Sequence, residues 1–288
     1  IKDNVGFGDW DTDLLANDWD TGELEAWGVD LPDFGEDIAG SGEDDYIMPD
    51  KIHTDIMIGD LFEIGDHRLL CGDSTIGDDV DRLMDGEKAD MVFTDPPYGV
   101  SYAAKNEYLN TISRGNCIQE PMDNDHMNLD DTRSFILSLF GQIKRILAYR
   151  SSYYITAPQG GDLMMMMMMM MMMMMEAGIP LRHCLIWVKN NHVLGRTDYN
   201  YKHEPILFGW DKVHDFYGAG EHKFSTWEIP KPLKNDLHPT MKPVALVENA
   251  LLNSTLPGNI VADLCLGSGT TTVAAHPLNR KCYGMELS

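Results

Sequence analysis

The sequence predicts an α/β layered domain with a mainly parallel sheet. Short apolar runs that end in turn residues alternate with segments whose apolar residues recur at helical spacing, and this alternation is typical of α/β layers. A glycine-rich turn follows one such run near the carboxyl end of the 288-residue chain and leads into a helical segment. With 43% hydrophobic residues, the chain can form one sizeable core, or one core and a small appendage.

Residues 1–50 differ in composition from the rest of the chain. They hold sixteen acidic residues and one lysine, with tryptophans spaced eight or nine residues apart. We interpret them as an acidic linker or the remnant of a preceding domain, followed by a second domain over residues 51–288. Because the chain starts at Ile1 and stops at Ser288, just after a predicted strand, we expect both ends to be cut from a longer polypeptide.

The predicted elements of the second domain begin at about Asp55. Residues 59–74 contain two apolar stretches around a Gly-Asp turn, which predicts a pair of short strands. The other predictions, in chain order, are a helix at 78–84, a buried parallel strand at 89–95, a helix at 132–148, strands at 151–157, 181–189 and 204–210, a helix at 243–253, and a strand–turn–helix–strand unit at 258–287.

A run of twelve methionines, Met164–Met175, lies where a helix is expected. Asp162 and Gly178 are suitable caps for it, and methionine is a good helix former. A homopolymer has no amphipathic period, so it specifies no register, and we assign it no chemistry. The run is also shorter than the roughly 20 residues that a membrane span requires.

Charge and cysteine content narrow the class of protein. The net charge of -24 is unusual for a nucleic-acid binder, but residues 1–50 carry most of it, and residues 182–242 are slightly basic. Five cysteines, an odd number without C-x-x-C spacing, favour a reducing compartment over a disulfide framework, so we expect a cytoplasmic protein. No complete set of metal ligands is spaced for a zinc site, and we predict none.

The first motif with chemical meaning is Asp95-Pro96-Pro97-Tyr98, directly after a predicted parallel strand. Ligands of open α/β sheets bind at the carboxyl ends of such strands. The Asp95 carboxylate and the Pro96 carbonyl can accept hydrogen bonds from an amino group of a base, which favours a pyramidal, nucleophilic nitrogen. The prolines restrict the loop, and Tyr98 offers a face for stacking an extruded base. An ordinary strand-ending turn is an equally good explanation of this motif taken alone.

The second motif runs from Asp263 to Thr271 and contains Gly267 and Gly269 after an apolar strand. The glycines let the backbone approach a ligand, and Glu286 follows 23 residues after Asp263, where nucleotide-binding folds hold ribose hydroxyls. The third glycine of a dinucleotide fingerprint is replaced by Thr272, and G-x-x-x-x-G-K is absent, so neither NAD nor a nucleoside triphosphate is favoured.

Two weaker motifs complete the set. His238-Pro239-Thr240-Met241-Lys242-Pro243 precedes a predicted helix, whose first residues could hold a carboxylate. Asp73 follows a predicted strand, and it could accept from the adenine of a cofactor or cap the next helix. Taken alone, the cap is the better interpretation.

The order of these motifs resembles that of the β class of S-adenosylmethionine-dependent DNA amino methyltransferases. The resemblance covers about residues 59–288 and implies a Rossmann-like, seven-stranded, mainly parallel sheet with helices on both faces. It implies a target-recognition region at about 100–130 and 190–235, where residues 100–130 and 211–235 are candidate DNA-contacting loops. Residues 1–20 resemble the segment after a ParB-like nuclease domain in fused, often phage-borne, methylases, so a bacterial or phage source is expected.

The resemblance implies S-adenosylmethionine as cofactor and double-stranded DNA as partner, and leaves a homodimer and a restriction partner open. Asp95, Pro96, Pro97 and Tyr98 would surround the target amino group. The residues expected around the cofactor are Asp73, Thr240, Lys242, Asp263, Cys265, Gly267, Ser268, Gly269, Thr270 and Glu286. The residues expected at the target base are Arg196, Asp198, Tyr199, His203 and Glu204. Cys265-Leu266 stands where many relatives have Pro-Phe, which removes an aromatic contact to the cofactor.

Three functions follow as hypotheses. The first is methylation of the adenine amino group by direct transfer, because D-P-P-Y is commoner in adenine enzymes of this family and no cysteine follows a proline as a nucleophile for five-carbon methylation. The second is methylation of the cytosine N4 amino group. The third is a non-catalytic DNA-binding or partition-related module that retains the fold.

Overall fold

The computed structural model describes residues 54–98, 129–159, 164–190, 198–218, 223–230 and 242–287. The interpretation of residues 1–50, most of the proposed loop at 100–130, and the side chains of Arg196 and Thr240 lie outside these ranges. Within them the chain forms nine strands and five helices. None of these helices is long and apolar enough to cross a membrane.

The strands follow the predicted order along the chain. Their bounds are β1 Leu61–Ile64, β2 His67–Cys71, β3 Ala89–Thr94, β4 Leu147–Thr156, β5 Leu181–Val188, β6 His203–Gly209, β7 Thr226–Glu228, β8 Ile260–Asp263 and β9 Lys281–Glu286. The helices are α1 Gly77–Met84, α2 Leu129–Ile146, α3 Met164–Glu176, α4 Val244–Ser254 and α5 Thr270–Ala275.

The nine strands form one sheet in the order β1-β2-β9-β8-β3-β4-β6-β5-β7. Strands β2, β9, β8, β3 and β4 are successively parallel, whereas β6 runs antiparallel to both of its neighbours, β4 and β5. The predicted mainly parallel α/β sheet is therefore confirmed. It has nine strands and not seven, because the hairpin strand β1 and the three-residue strand β7 extend its two edges.

Helices cover both faces of the sheet, as the resemblance implied. Alternate residues of a strand point to opposite faces, and β3 shows this directly. Val92 packs in a cluster with the buried residues of α1, α2 and α3. Met91 and Phe93 pack in a second cluster with α4 and α5. The sheet is thus buried on both sides, which explains why the consecutive residues Met91, Val92 and Phe93 of β3 are all apolar.

Three details differ from the sequence predictions. Strand β7 lies within residues 211–235, which we had predicted to be loop, because three residues with one buried tryptophan give too short a pattern to detect. Strand β4 begins at Leu147, directly after α2, so the predicted helix is too long at its carboxyl end. Pro243 is the N-cap of α4 and not its first residue.

The polymethionine helix ends as predicted. Gly178 adopts a left-handed conformation with φ of 74°, and the Ile179 N–H donates to the Met174 carbonyl at 2.9 Å. Glycine reaches such backbone angles at low cost, which is why it commonly ends helices. Met170, Met173 and Met174 are buried, so packing against the sheet determines which face of this uniform helix is inside.

Gly209 is a position in β6 where a side chain would not fit. A Cβ atom there would overlap the Pro180 carbonyl oxygen and lie 2.6 Å from the Tyr153 ring. We expect Gly209→Ala to lower the free energy of unfolding by about 1–3 kcal/mol through overpacking. Gly141→Ala in α2 is the matched control, because a Cβ atom at Gly141 meets no atom within 4 Å. This substitution should raise the free energy of unfolding by about 0.5–1 kcal/mol, because alanine has a higher helix propensity than glycine. Urea denaturation measures both, and a Gly209→Ala chain as stable as wild type would contradict this packing.

Candidate active site

The sequence motifs meet at one edge of the sheet. Asp73 follows β2, Glu286 ends β9, Asp263 ends β8, Asp95 follows β3, and Thr156 ends β4. These five strands are neighbours and parallel, so their carboxyl ends lie at the same edge. This is the edge at which open α/β sheets bind ligands.

The antiparallel strand β6 brings further residues to the same edge. Because β6 runs opposite to β4 and β5, its first residues lie beside the last residues of those strands. Val188 pairs with His203, and Trp187 pairs with Glu204. Lys189, directly after β5, and Glu204 therefore stand next to the Asp95 loop.

Two hydroxyl groups hold the Asp95 carboxylate. The Tyr98 hydroxyl donates to Asp95 Oδ1 at 2.8 Å, and the Thr156 hydroxyl donates to the same oxygen. The two hydroxyl oxygens are 2.7 Å apart. Burial, followed by the charge of Asp95, raises the pKa of the Tyr98 phenol well above its usual range, so it remains a donor. Pro96, the next residue of the motif, is buried.

Thr156 was missed by the sequence analysis. It lies 61 residues from Asp95 in the chain and is 1% exposed. A threonine at a strand end carries no distinctive signal, so only the parallel pairing of β3 with β4 brings it to Asp95. The pairing of Thr94 with Ile155 places the two strand ends side by side.

The second oxygen of Asp95 contacts an ammonium group. Lys242 Nζ lies 2.5 Å from Asp95 Oδ2 and 3.5 Å from Glu204 Oε2. Lys189 Nζ lies 2.5 Å from Glu204 Oε1. Lys242 was predicted near the carboxylate end of the cofactor, and that contact stays a prediction. The structure brings its ammonium to Asp95 of the Asp95-Pro96-Pro97-Tyr98 motif.

The glycine-rich turn lies beside Glu286. The Gly267 N–H donates to Glu286 Oε2 at 2.6 Å, which joins the turn after β8 to the end of β9. Gly267 and Gly269 have φ of 55° and 82°, and a Cβ atom on either would meet only open space. The turn thus leaves room for a ligand, and its backbone conformation favours glycine. The Ser268 and Thr270 hydroxyl oxygens are 3.2 Å apart at the start of α5.

Asp263 is buried, and its carboxylate accepts hydrogen bonds from both ends of the glycine-rich turn. Its Oδ2 accepts the Thr271 hydroxyl at 2.6 Å, and its Oδ1 accepts the Cys265 N–H at 3.2 Å. Burial raises the pKa of the Asp263 carboxyl to about 7. Burial also raises the pKa of the Cys265 thiol well above its usual range, so this thiol stays protonated. Direct contact of Asp263 or Cys265 with a cofactor remains a prediction.

The raised pKa of Asp263 predicts a pH effect on stability. The Asp263 carboxyl binds its proton more tightly in the folded protein, where its pKa is about 7, than in the unfolded chain, where its pKa is 3.8. This difference stabilises the folded protein fully below pH 3.8, and the stabilisation is lost as the pH rises through about 7. An asparagine at this position can keep both hydrogen bonds, because the Thr271 hydroxyl can accept as well as donate. Asp263→Asn should therefore gain stability over wild type, by on the order of 2–4 kcal/mol between pH 4 and pH 8.

Urea denaturation at several pH values checks this prediction. Exposed Asp66→Asn serves as the control and should follow the wild-type curve. A stability difference between Asp263→Asn and wild type that does not change with pH would show that Asp263 ionises normally in the folded protein.

Asp73 organises the turn before α1. Its Oδ1 accepts the Thr75 N–H at 2.8 Å and the Thr75 hydroxyl at 2.7 Å. Its own N–H donates to Asp79 Oδ2 at 2.9 Å. These bonds close a turn before the helix and do not cap it: the N-cap of α1 is Ile76, which has no side-chain cap hydrogen bond, so the capping interpretation is wrong. Asp73 Oδ2 takes part in none of these three bonds. A contact of this oxygen with an adenine amino group stays a prediction.

The residues proposed for the target base are only partly brought together. His203 and Glu204 begin β6 at the active-site edge, and both are half-buried. The His203 ring lies edge-on to Tyr201, with centroids 5.9 Å apart. Asp198 and Tyr199 are exposed, and Tyr199 keeps 83% of its surface accessible. Glu204 binds the two lysines, a role that the sequence did not indicate.

The edge as a whole suits a nucleoside that carries positive charge. An open glycine turn follows β8, between the strand that ends at Glu286 and the strand that precedes Asp95, and the Asp73 carboxylate lies one strand beyond Glu286. A sheet of this order, with a nucleoside turn beside an Asp-Pro-Pro-Tyr loop, defines the class of Rossmann-like methyltransferases.

The comparison with known proteins gives the family. The N6/N4 methyltransferase family, described as DNA methylase, matches residues 89–288. The chain therefore belongs to this DNA methylase family, and S-adenosylmethionine is its cofactor.

Individual relatives are distant. The Type II methyltransferase M.HpaI of Haemophilus parainfluenzae is 22% identical over 250 residues, covering 77% of this chain and 71% of that enzyme. M2.DpnII of Streptococcus pneumoniae is 32% identical over 103 residues, so the chain matches only 36% of its length. The M1.HpyAVI–SAM complex has a TM-score of 0.54 at 21% identity and covers 76% of this chain and 93% of that one. The cytosine-N4-specific PvuII DNA methyltransferase has a TM-score of 0.55 at 15% identity, with coverages of 76% and 81%.

Proposed function

We propose that this chain transfers a methyl group from S-adenosylmethionine to the exocyclic amino group of adenine at specific sites in double-stranded DNA. The observation that carries the proposal is the Asp95 carboxylate at the carboxyl edge, with one oxygen held by the Tyr98 and Thr156 hydroxyls. Family membership supports the methylase activity. Adenine as the target base and duplex DNA as the substrate go beyond what family membership gives, and we propose both.

The chemistry requires an amino nitrogen to act as a nucleophile. In a free base its lone pair is shared with the ring, so it attacks poorly. The Asp95 carboxylate and the Pro96 carbonyl would accept its two hydrogens and favour a pyramidal nitrogen whose lone pair is available. The Tyr98 and Thr156 hydroxyls hold the acceptor in one orientation, so little reorganisation is needed during reaction. The cofactor supplies an electrophilic methyl group on its sulfonium.

A base inside a duplex cannot reach this loop, so the target must be extruded. The Tyr98 ring next to Asp95 is a candidate stacking surface, and His203 and Tyr201 lie at the start of β6 beside the same edge. Residues 182–242, the slightly basic part of the chain, provide the lysines and arginines best placed in sequence to contact phosphates.

The cytosine N4 amino group is the second candidate. Its nitrogen presents the same two hydrogens, and this chain has the fold of PvuII, a cytosine-N4-specific enzyme. The aspartate that begins the Asp95-Pro96-Pro97-Tyr98 motif favours adenine, because serine is the commoner first residue in cytosine enzymes of the family.

The proposal also covers residues 1–50 and the proteins that would associate with this chain. Residues 1–50 would follow a ParB-like nuclease domain in the longer protein, as their sequence resemblance indicates. A homodimer and a restriction partner are compatible with this role.

The test is methyl transfer from tritiated S-adenosylmethionine to mixed-sequence duplex DNA, followed by digestion to nucleosides. Label on N6-methyladenine is expected. Label on N4-methylcytosine would overturn only the choice of base. If a chain with demonstrated S-adenosylmethionine binding labelled no DNA of any sequence, the third hypothesis, a binding module with a methylase fold, would replace the enzyme.

A further inference from the structure

Four charged side chains lie in series across the active-site edge. Lys189 contacts Glu204 Oε1 at 2.5 Å, Lys242 contacts Glu204 Oε2 at 3.5 Å, and Lys242 contacts Asp95 Oδ2 at 2.5 Å. Each oxygen of Glu204 therefore faces one ammonium group. Lys189 is not among the site residues predicted from the sequence, and it is the group farthest from Asp95 in this series.

Lys189 is held firmly in place. Its side chain is 4% exposed, and its backbone N–H donates to the Lys202 carbonyl at 2.9 Å. Its ammonium lies 5.3 Å from the centre of the Trp187 ring, and the Trp187 indole N–H donates to the Ile229 carbonyl at 2.7 Å. In such a buried position, charge interactions are much stronger than on the surface, and an unpaired charge is costly.

Lys242 stands between two carboxylates that compete for its ammonium. The Asp95 carboxylate is nearer to Lys242 Nζ, at 2.5 Å against 3.5 Å for Glu204. The Glu204 side chain is the more buried of the two, with 20% of its surface exposed against 29% for Asp95. Lys189 offsets the charge of Glu204 from the far side and so weakens the attraction of Glu204 for Lys242. The buried cation thus favours the position of Lys242 on Asp95.

We propose that Lys189 is a positioning residue for methyl transfer. Acting through Glu204, it keeps the Lys242 ammonium on Oδ2 of Asp95, while the Tyr98 and Thr156 hydroxyls hold Oδ1. The carboxylate is then fixed at both oxygens before the target amino group arrives. The inference rests on the proposed function, because it assigns Asp95 the role of acceptor for that amino group.

The first measurement is the single-turnover rate of Lys189→Met at saturating S-adenosylmethionine and DNA, normalised to the stoichiometry of cofactor binding. Without Lys189, Glu204 should draw Lys242 away from Asp95. We expect methyl transfer to slow by about 10- to 100-fold, the effect of a small misplacement at a reacting centre. Because both ligands are saturating, a change in cofactor affinity through Lys242 does not contribute to this rate.

Two double variants separate positioning from a merely structural ion pair. Glu204→Gln removes the competing carboxylate, so adding Lys189→Met to it should cause no further loss relative to Glu204→Gln alone, whatever Glu204 contributes at the target base. In a Lys242→Met background, Lys189→Met should cause no further loss, because its effect passes through Lys242. If Lys189→Met does not bind cofactor stoichiometrically, Lys189→Gln, which can still donate to Glu204, replaces it.

The outcomes are distinct. A Lys189→Met chain as fast as wild type, or a further loss in the Lys242→Met background, overturns this inference and leaves the proposed function intact. A further loss when Lys189→Met is added to Glu204→Gln also overturns it. A wild-type chain that binds cofactor and methylates no DNA overturns the proposed function and, with it, this inference.

Discussion

Asp95→Asn is expected to slow methyl transfer by roughly 10²–10³-fold while cofactor binding is kept, by analogy with the loss of one preorganised polar contact in other enzymes. The amide has the size of the carboxylate but only one acceptor oxygen. That oxygen must face the Lys242 ammonium, 2.5 Å from the present Oδ2, so the amide NH₂ turns to the Tyr98 and Thr156 hydroxyls. The target amino group then meets a neutral, weaker acceptor that is already engaged.

The experiment compares single-turnover methylation of DNA by wild type and Asp95→Asn, with the Kd for S-adenosylmethionine measured by calorimetry. Asp66→Asn is the matched control, because Asp66 is an exposed residue of the turn between β1 and β2, at the opposite edge of the sheet. It should react at the wild-type rate. If Asp95→Asn kept a rate close to that of wild type, the acceptor role of Asp95 would be wrong.

Glu286→Ala should weaken S-adenosylmethionine binding by about 10- to 100-fold, the size expected for the loss of hydrogen bonds to a charged group. Two effects act together. The carboxylate predicted to hold the ribose hydroxyls is lost, and the Gly267 N–H loses the acceptor at 2.6 Å that holds the glycine turn to the end of β9. Glu286 also accepts the Leu287 N–H at 3.1 Å, so its two oxygens are oriented by the backbone.

Calorimetric titration with S-adenosylmethionine measures this effect, and Glu286→Gln separates its two parts. Glutamine can still accept the Gly267 N–H, so a smaller loss than in Glu286→Ala is expected. Glu63→Ala is the control, because Glu63 is an exposed residue of β1 and its weak ion pair with Arg68 is remote from the turn. Unchanged affinity in Glu286→Ala would show that the cofactor does not use this carboxylate.

The sequence was most informative where a motif and a secondary-structure signal coincided. Asp95 directly follows an apolar strand, and Asp263 and Glu286 end two more. In a parallel sheet, strand ends share one edge, so these positions could be placed together before the structure was known. The glycines at 267 and 269 could be interpreted for the same reason, since their φ of 55° and 82° explains why glycine stands there.

Other features depended on contacts between segments far apart in the chain. Thr156 and Lys189 are common residue types at strand ends, and neither has a neighbour pattern that distinguishes it. Their roles arise from strand order, which places β4 between β3 and β6 and so brings Thr156 to Asp95. Glu204 was predicted to lie near the target base, and that placement stays a prediction, but its ion pairs with two lysines could not be inferred from local sequence.

By itself, the sequence determined the class of fold, the edge of the sheet that carries the site, and the family, because these depend on local patterns and on the order of motifs. The tertiary structure decided which side chains hold the Asp95 carboxylate and which charges balance one another. The physical reason is that hydrogen bonds and ion pairs act over a few ångströms. Partners such as Asp95 and Lys242, 147 positions apart in the chain, meet only when the sheet and the start of α4 are assembled.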